Sequence, residues 1–141
     1  MSPPLIVTAT TEEELDRLPV HDQWACTDDL TFCDGKITIP MQIEKWFVDE
    51  DFEPDGLPTG WRRFLPYSYR VPLLKSELTI SDVLDYDMED RSQIGGTHVN
   101  EIRLCDGLLV VECIEEVTLQ VRVSRLRVDL QVMDEVVGHL L

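Results

Sequence analysis

The sequence predicts a mainly β, antiparallel, sheet-based domain, a barrel or a sandwich, with one short N-terminal helix. Three observations carry this expectation. Apolar and polar residues alternate with a period of two from Val117 onward, the period of a half-buried strand. Asp34-Gly35 and Asp106-Gly107 each separate two extended runs, and Asp-Gly suits the type I′ hairpin turn, whose two central residues need positive φ. With 141 residues, 43% of them hydrophobic, the chain has material for one core, and no linker divides it. Residues 1–141 therefore read as a single β-rich domain.

The elements follow in order. Leu5-Ile6-Val7-Thr8-Ala9 reads as a short strand. Thr11-Glu12-Glu13-Glu14 fits a capping box, in which the Thr11 hydroxyl accepts the Glu14 amide and Glu14 reaches back to the cap amide. Its acids also suit the positive end of the helix dipole. Leu15 and Leu18 supply the apolar face, and Pro19 stops the helix. In the first hairpin the two-residue turn sets Phe32 against Ile37 and Leu30 against Ile39. Pro40, lacking an amide donor, marks an edge or an interruption before Met41.

Asp49 to Gly60 reads as a long acidic loop. Arg63 to Leu74 is strand-like, with Pro66 and Pro72 placing it at a sheet edge. Ser81 to Asp90 reads as an acidic helix or loop, and Gly95-Gly96 as a break. The second hairpin repeats the Cys-Asp-Gly triplet 72 residues on. It sets Leu104 against Leu109, Ile102 against Val111 and Asn100 against Cys113, and puts Glu101 and Arg103 on the polar face. The match barely outlasts ten residues, which favours two hairpins made alike by turn chemistry over an internal duplication. Val117, Leu119, Val121 and Val123 are apolar at odd positions, then Leu126, Val128, Leu130 and Val132 at even ones. One extra residue, a β-bulge near Ser124-Arg125, accounts for that flip. The tail from Met133 reads as a short helix or a frayed end.

Charge narrows the function classes. The chain carries 28 acidic and 12 basic side chains, a net charge of −16, which argues against phosphate-driven binding of nucleic acid. No apolar run approaches the length of a membrane span. The opening residues lack the basic region and long apolar stretch of a secretory signal, so the expected location is the cytoplasm. In that reducing setting Cys26, Cys33, Cys105 and Cys113 are expected as free thiols that pack in the interior. Their spacing, and that of His21, His98 and His139, lacks the close pairs of a zinc site.

No motif carries chemistry. Asp51-Phe52-Glu53-Pro54-Asp55-Gly56 resembles the start of a calcium loop, but Arg62 stands where a bidentate glutamate is required. Asp82, Asp85, Asp87, Glu89 and Asp90 have no fixed geometry for a cation. A Cys105 or Cys113 pair with His98 is conceivable, yet thiolates favour a positive neighbourhood. No nucleophile elbow or phosphate loop is present. The aromatic and arginine-rich run Trp61–Arg70 reads as an amphipathic strand whose arginines pair with acids. The expectation is thus no catalytic residue, no metal and no cofactor.

Residues 1–60 hold 14 acids against 3 bases, the remainder 14 against 9. The leading expectation is a non-enzymatic acidic interaction module that binds a basic protein, inhibitor- or immunity-like by charge analogy only. Asp49, Glu50, Asp51, Glu53 and Asp55 are the expected partner-binding residues. Alternatives are a small-molecule-binding barrel or sandwich, and a hydrolase or isomerase with dispersed carboxylates. An edge strand carrying Pro40 or Pro72 offers a route to a homodimer.

Overall fold

The computed structural model describes residues 5–48, 71–91 and 93–140. The elements are β1 (Leu5–Ala9), α1 (Glu12–Leu15), β2 (Trp24–Ala25), β3 (Thr31–Cys33), β4 (Lys36–Glu44), β5 (Val71–Ile80), β6 (Val83–Asp90), β7 (Thr97–Cys105), β8 (Leu108–Cys113), β9 (Val117–Val123) and β10 (Val128–Leu140). All pairings are antiparallel, and the strands follow one open path, β1-β10-β5-β4-β2-β7-β8-β9-β6, with β3 added to β4. The path does not close into a barrel. It forms two arrays joined by the two-residue β2, and the architecture is sandwich-like. One hydrophobic cluster draws on both arrays, Ile39, Leu78 and Leu130 from one and Leu109, Val111, Leu119 and Val121 from the other. Each such side chain, once fully buried, contributes about 1.5–3 kcal/mol.

Both hairpins form as expected. Asp34 and Gly35 have φ of 52° and 72°, Asp106 and Gly107 of 50° and 78°, the left-handed pair that a type I′ turn requires. Phe32 pairs with Ile37, Leu104 with Leu109 and Ile102 with Val111. Two registers differ from expectation. β3 begins at Thr31, so Leu30 has no strand partner in Ile39, because Ala25 of β2 takes over the β4 edge at Met41. Cys113 pairs with Val99 instead of Asn100, since the β7–β8 ladder shifts register between Val99 and Glu101.

The two hairpins belong to a larger repeat. β4 pairs with β5 and β5 with β10; likewise β8 pairs with β9 and β9 with β6. Each half therefore runs hairpin, third strand, then a strand that crosses to complete the array of the other half. The two halves thus share a pairing scheme well beyond the ten residues over which their side chains match. Backbone bonds stitch the two crossings together: Ser81 N–H donates to Arg127 O at 3.0 Å and Ser124 N–H to Asp82 O at 2.9 Å. Val83 and Val123, paired with each other, donate to the turn carbonyls of Gly35 (2.9 Å) and Gly107 (3.1 Å).

This crossing corrects the reading of the C-terminal parity flip. No bulge lies near Ser124-Arg125; β9 ends at Val123 and β10 starts in the other array, so the inward-facing parity is set anew. The tail is neither helix nor frayed end, because β10 continues to Leu140 through register shifts at Val132–Val136 and Val136–Gly138. Ser81 to Asp90 is not a helix or loop: β6 is a strand on β9, with a register shift between Val83 and Asp85.

Neither proline strand is an edge. β4 and β5 are interior, and each proline sits at a local gap in pairing. The Pro40 carbonyl accepts from Cys26 at 2.8 Å, so the side of β4 on which Pro40 lacks its N–H is the short span between β3 and β2. Pro72 lies beyond the last β4–β5 pair, Glu44–Leu73, and among the described residues is paired with His139 alone. The outermost strands of the path are β1 and β6.

The helix is shorter than expected, ending at Leu15 well before Pro19, with Asp16 as its C-cap. The Thr11 hydroxyl accepts the Glu14 amide at 3.2 Å, but Glu14 reaches one residue further back, to the Thr10 amide at 3.1 Å and its hydroxyl at 3.0 Å. Leu15 and Leu18 do enter the core. The four cysteines are free, yet Cys33 and Cys105 are exposed and Cys26 and Cys113 half-buried. Cys33 and Cys105 directly precede the Asp-Gly turns, where the ladders project past the core. Among the described residues no helix is long and apolar enough to cross a membrane, and no three His, Cys, Asp or Glu side chains group as metal ligands.

Candidate functional site

Two surfaces of the described residues combine chemistry with access. The first lies over β2. Trp24 pairs with Gln42 of β4 on one side and with His98 of β7 on the other, so these three side chains form a row on one face of the sheet. Their neighbours Ala25, Met41 and Thr97 form the buried row beneath. The Trp24 and His98 rings meet edge to face, centroids 5.0 Å apart. Gly96 makes room for the indole: a Cβ there would stand 2.3 Å from Trp24 Cζ2.

A carboxylate fixes the imidazole. Glu115, from the turn after β8, holds His98 Nδ1 at 2.6 Å and accepts the His98 amide at 2.7 Å. The Thr97 hydroxyl donates to the same carboxylate through a short bond. Because an ionised carboxylate only accepts, Nδ1 carries the proton and Nε2 is the ring's second polar atom. Partial burial alone would raise the Glu115 pKa, but the bonds from Thr97 and His98 outweigh it and hold the carboxyl at about 2. Beside it, burial pushes the Cys113 thiol up to about 11, with the Glu115 charge adding to the effect. Cys113 is thus a thiol at neutral pH and no nucleophile. Cys105 stands at the far end of β7 from His98, about 23 Å away at strand rise.

The row opens on a recess of about 370 Å³, walled in addition by Asp22, Gln23, Glu44 and Leu73. Glu44 is only 9% exposed and Gln23 1%. They are locked reciprocally: Gln23 Nε2 donates to Glu44 Oε2 at 2.9 Å, and the Glu44 amide donates to Gln23 Oε1 at 2.7 Å. A second recess of about 490 Å³, at the crossing, sets Lys36, Arg125 and Arg127 against Asp82 and Asp129, with Arg125 3.5 Å from Asp82 and Arg127 3.1 Å from Asp129.

The other surface is β6, which pairs with β9 alone along the open path. Asp85, Asp87 and Glu89 share one face, opposite Arg122, Gln120 and Thr118. Leu84, at the register shift, is 60% exposed. Tyr86 packs on Phe32 of the first hairpin, centroids 5.4 Å apart, and both rings remain open to solvent. The acids are partly compensated, Asp85 by Arg122 at 3.8 Å and Glu89 by Arg91 at 2.8 Å.

The expected partner residues Asp49, Glu50, Asp51, Glu53 and Asp55 lie outside the described residues, as do the calcium-like loop and the Trp61–Arg70 run. Sequence reasoning noticed Asp85, Asp87 and Glu89 but not that they stand on an edge strand. It missed the Trp24–Glu44–Gln23 recess altogether. The one available signal was the strand period Ile37, Ile39, Met41, Ile43, which sets Gln42 and Glu44 together on the opposite face. No family model matches the chain, and no curated protein or solved structure is significantly similar to it.

Proposed function

We propose that the protein is a non-catalytic interaction module of the cytoplasm that docks a basic protein segment along β6. The observation that carries this reading is the combination at one end of the sheet path: an outer side of β6 with no strand partner among the described residues, a face of three acids, and the exposed apolar Leu84, Tyr86 and Phe32. An extended segment laid on such an edge gains main-chain hydrogen bonds, and alternate side chains supply specificity. Lysine or arginine at every second position would meet Asp85, Asp87 and Glu89, while apolar residues between them would cover Tyr86. The acids also repel a second copy of β6, which favours a basic partner over self-pairing. The net charge of −16 speeds encounter with any basic protein. Four free thiols suit a reducing compartment.

The test is capture of basic proteins from an extract at low and high salt, with the wild type and with Asp85→Lys/Asp87→Lys. The reading expects capture that falls as salt rises and disappears with the double variant. Capture that ignores both salt and charge reversal would overturn it.

A further inference from the structure

We infer that the recess over β2 is a binding site for a small organic cation bearing N–H donors, a primary ammonium or a guanidinium. This inference does not rest on docking at β6, which is a different part of the sheet. Four features converge on that chemistry. The first is size: about 370 Å³ lies at the lower end of the range for small-ligand sites, which starts at roughly 300 Å³. The second is charge. Glu44 and Asp22 both line the recess, no Lys or Arg among the described residues does, and Glu44 is nine-tenths buried. A carboxylate removed from water needs donors, and among the described residues Gln23 supplies one to its Oε2. A cationic N–H donor supplies further bonds together with opposite charge.

The third feature is the indole. Trp24 lines the same recess and is held against Gly96 and His98, and an electron-rich ring in a fixed position attracts a cation. The fourth is rigidity. The reciprocal Gln23–Glu44 bonds and the Glu115–His98 bond hold both walls before any ligand arrives, which lowers the cost of binding. Gln42 and His98 Nε2 add polar atoms, and Leu73 offers an apolar wall for a short alkyl stem.

The probes are butylguanidinium, butylammonium and the neutral isostere butylurea, titrated into the full chain while the Trp24 indole N–H resonance and the binding heat are followed. An N-acetylated, amidated Gly-Arg-Gly tripeptide is run beside them. Saturable shifts with either cation, and none with butylurea, are the expected result. Glu44→Gln and Trp24→Phe should each weaken binding by roughly tenfold or more. Gln42→Lys, which tethers an ammonium beside the recess, should abolish binding and keeps the test open if Glu44→Gln fails to fold. Saturation by the free cations alone assigns a small-molecule ligand, and saturation by the tripeptide as well assigns an arginine side chain of a partner. Equal binding of butylurea, unchanged affinity in Trp24→Phe and Gln42→Lys, or no shift with either cation and the tripeptide would overturn the inference.

Discussion

The two halves of this molecule, β3 to β6 and β7 to β10, share a pairing scheme but differ in what becomes of the crossing strand. β10 lies between β5 and β1, and its residues Val128, Leu130 and Val132 are buried. β6 lies against β9 with its other side uncovered along the sheet path, and most of its residues are exposed. β1 makes the difference, since it pairs with β10 from Leu5–Val132 to Ala9–Val128 and is anchored by Thr8 donating to Asp129 at 2.5 Å. Covered, a crossing strand is apolar on one face and serves the core. Uncovered, it carries three acids on one face, a device that keeps an edge from self-association. Where the repeat loses its symmetry, a crossing strand is left at the end of the sheet path, and it is there that we propose a partner docks.

The comparison is broken most directly in the core. Ile37 and Leu109 occupy equivalent places after the two turns and are both fully buried. Ile37→Ala and Leu109→Ala should each cost about 2–5 kcal/mol in denaturant unfolding, in a single transition. A large loss from only one of them, or two separate transitions, would show that the halves do not share one cooperative core. Next come the turns. Gly35→Ala and Gly107→Ala force a side chain into left-handed backbone, and each should cost about 1–2 kcal/mol. A markedly smaller cost at Gly35 would mean that the shorter β3–β4 hairpin relaxes around the strain.

Of the two halves as described, only the second holds a carboxyl whose pKa is clearly depressed. The Glu115 carboxyl is held at about 2 in the folded protein against an ordinary 4.5. A carboxylate whose pKa is depressed by folding stabilises the fold above its unfolded value, and that contribution is lost as pH falls toward the folded one. Stability should therefore decline between pH 4.5 and about 2, and Glu115→Gln should flatten that part of the profile. An unchanged profile in the variant would place the acid sensitivity elsewhere. The smallest effect is expected at the open edge: Asp87→Lys should shift stability by no more than about 0.5 kcal/mol. A larger loss would mean that β6 is built for the fold and not for a partner.

Legibility in the sequence followed the range of the interactions. The hairpins were readable because a two-residue turn dictates both φ signs and register locally, and β9 because Val117, Leu119, Val121 and Val123 bury one face. β6 was not, although Tyr86 and Met88 alternate with Asp85, Asp87 and Glu89. An edge strand that buries little carries no strong apolar period, and the shift at Leu84 breaks what period there is. The recess was hidden for a different reason. Trp24, Gln42 and His98 are distant along the chain and meet only because two residues of β2 bridge the arrays.

The sequence by itself determined the antiparallel β class, the two tight reversals, the single helix cap and the negative charge, all consequences of local backbone preference and composition. Tertiary structure decided which strands became edges, that β9 and β10 part into different arrays, and that Glu44 is buried beside Gln23 and Trp24. Those outcomes depend on which strand covers which, a competition among non-local pairings that no short stretch of residues encodes.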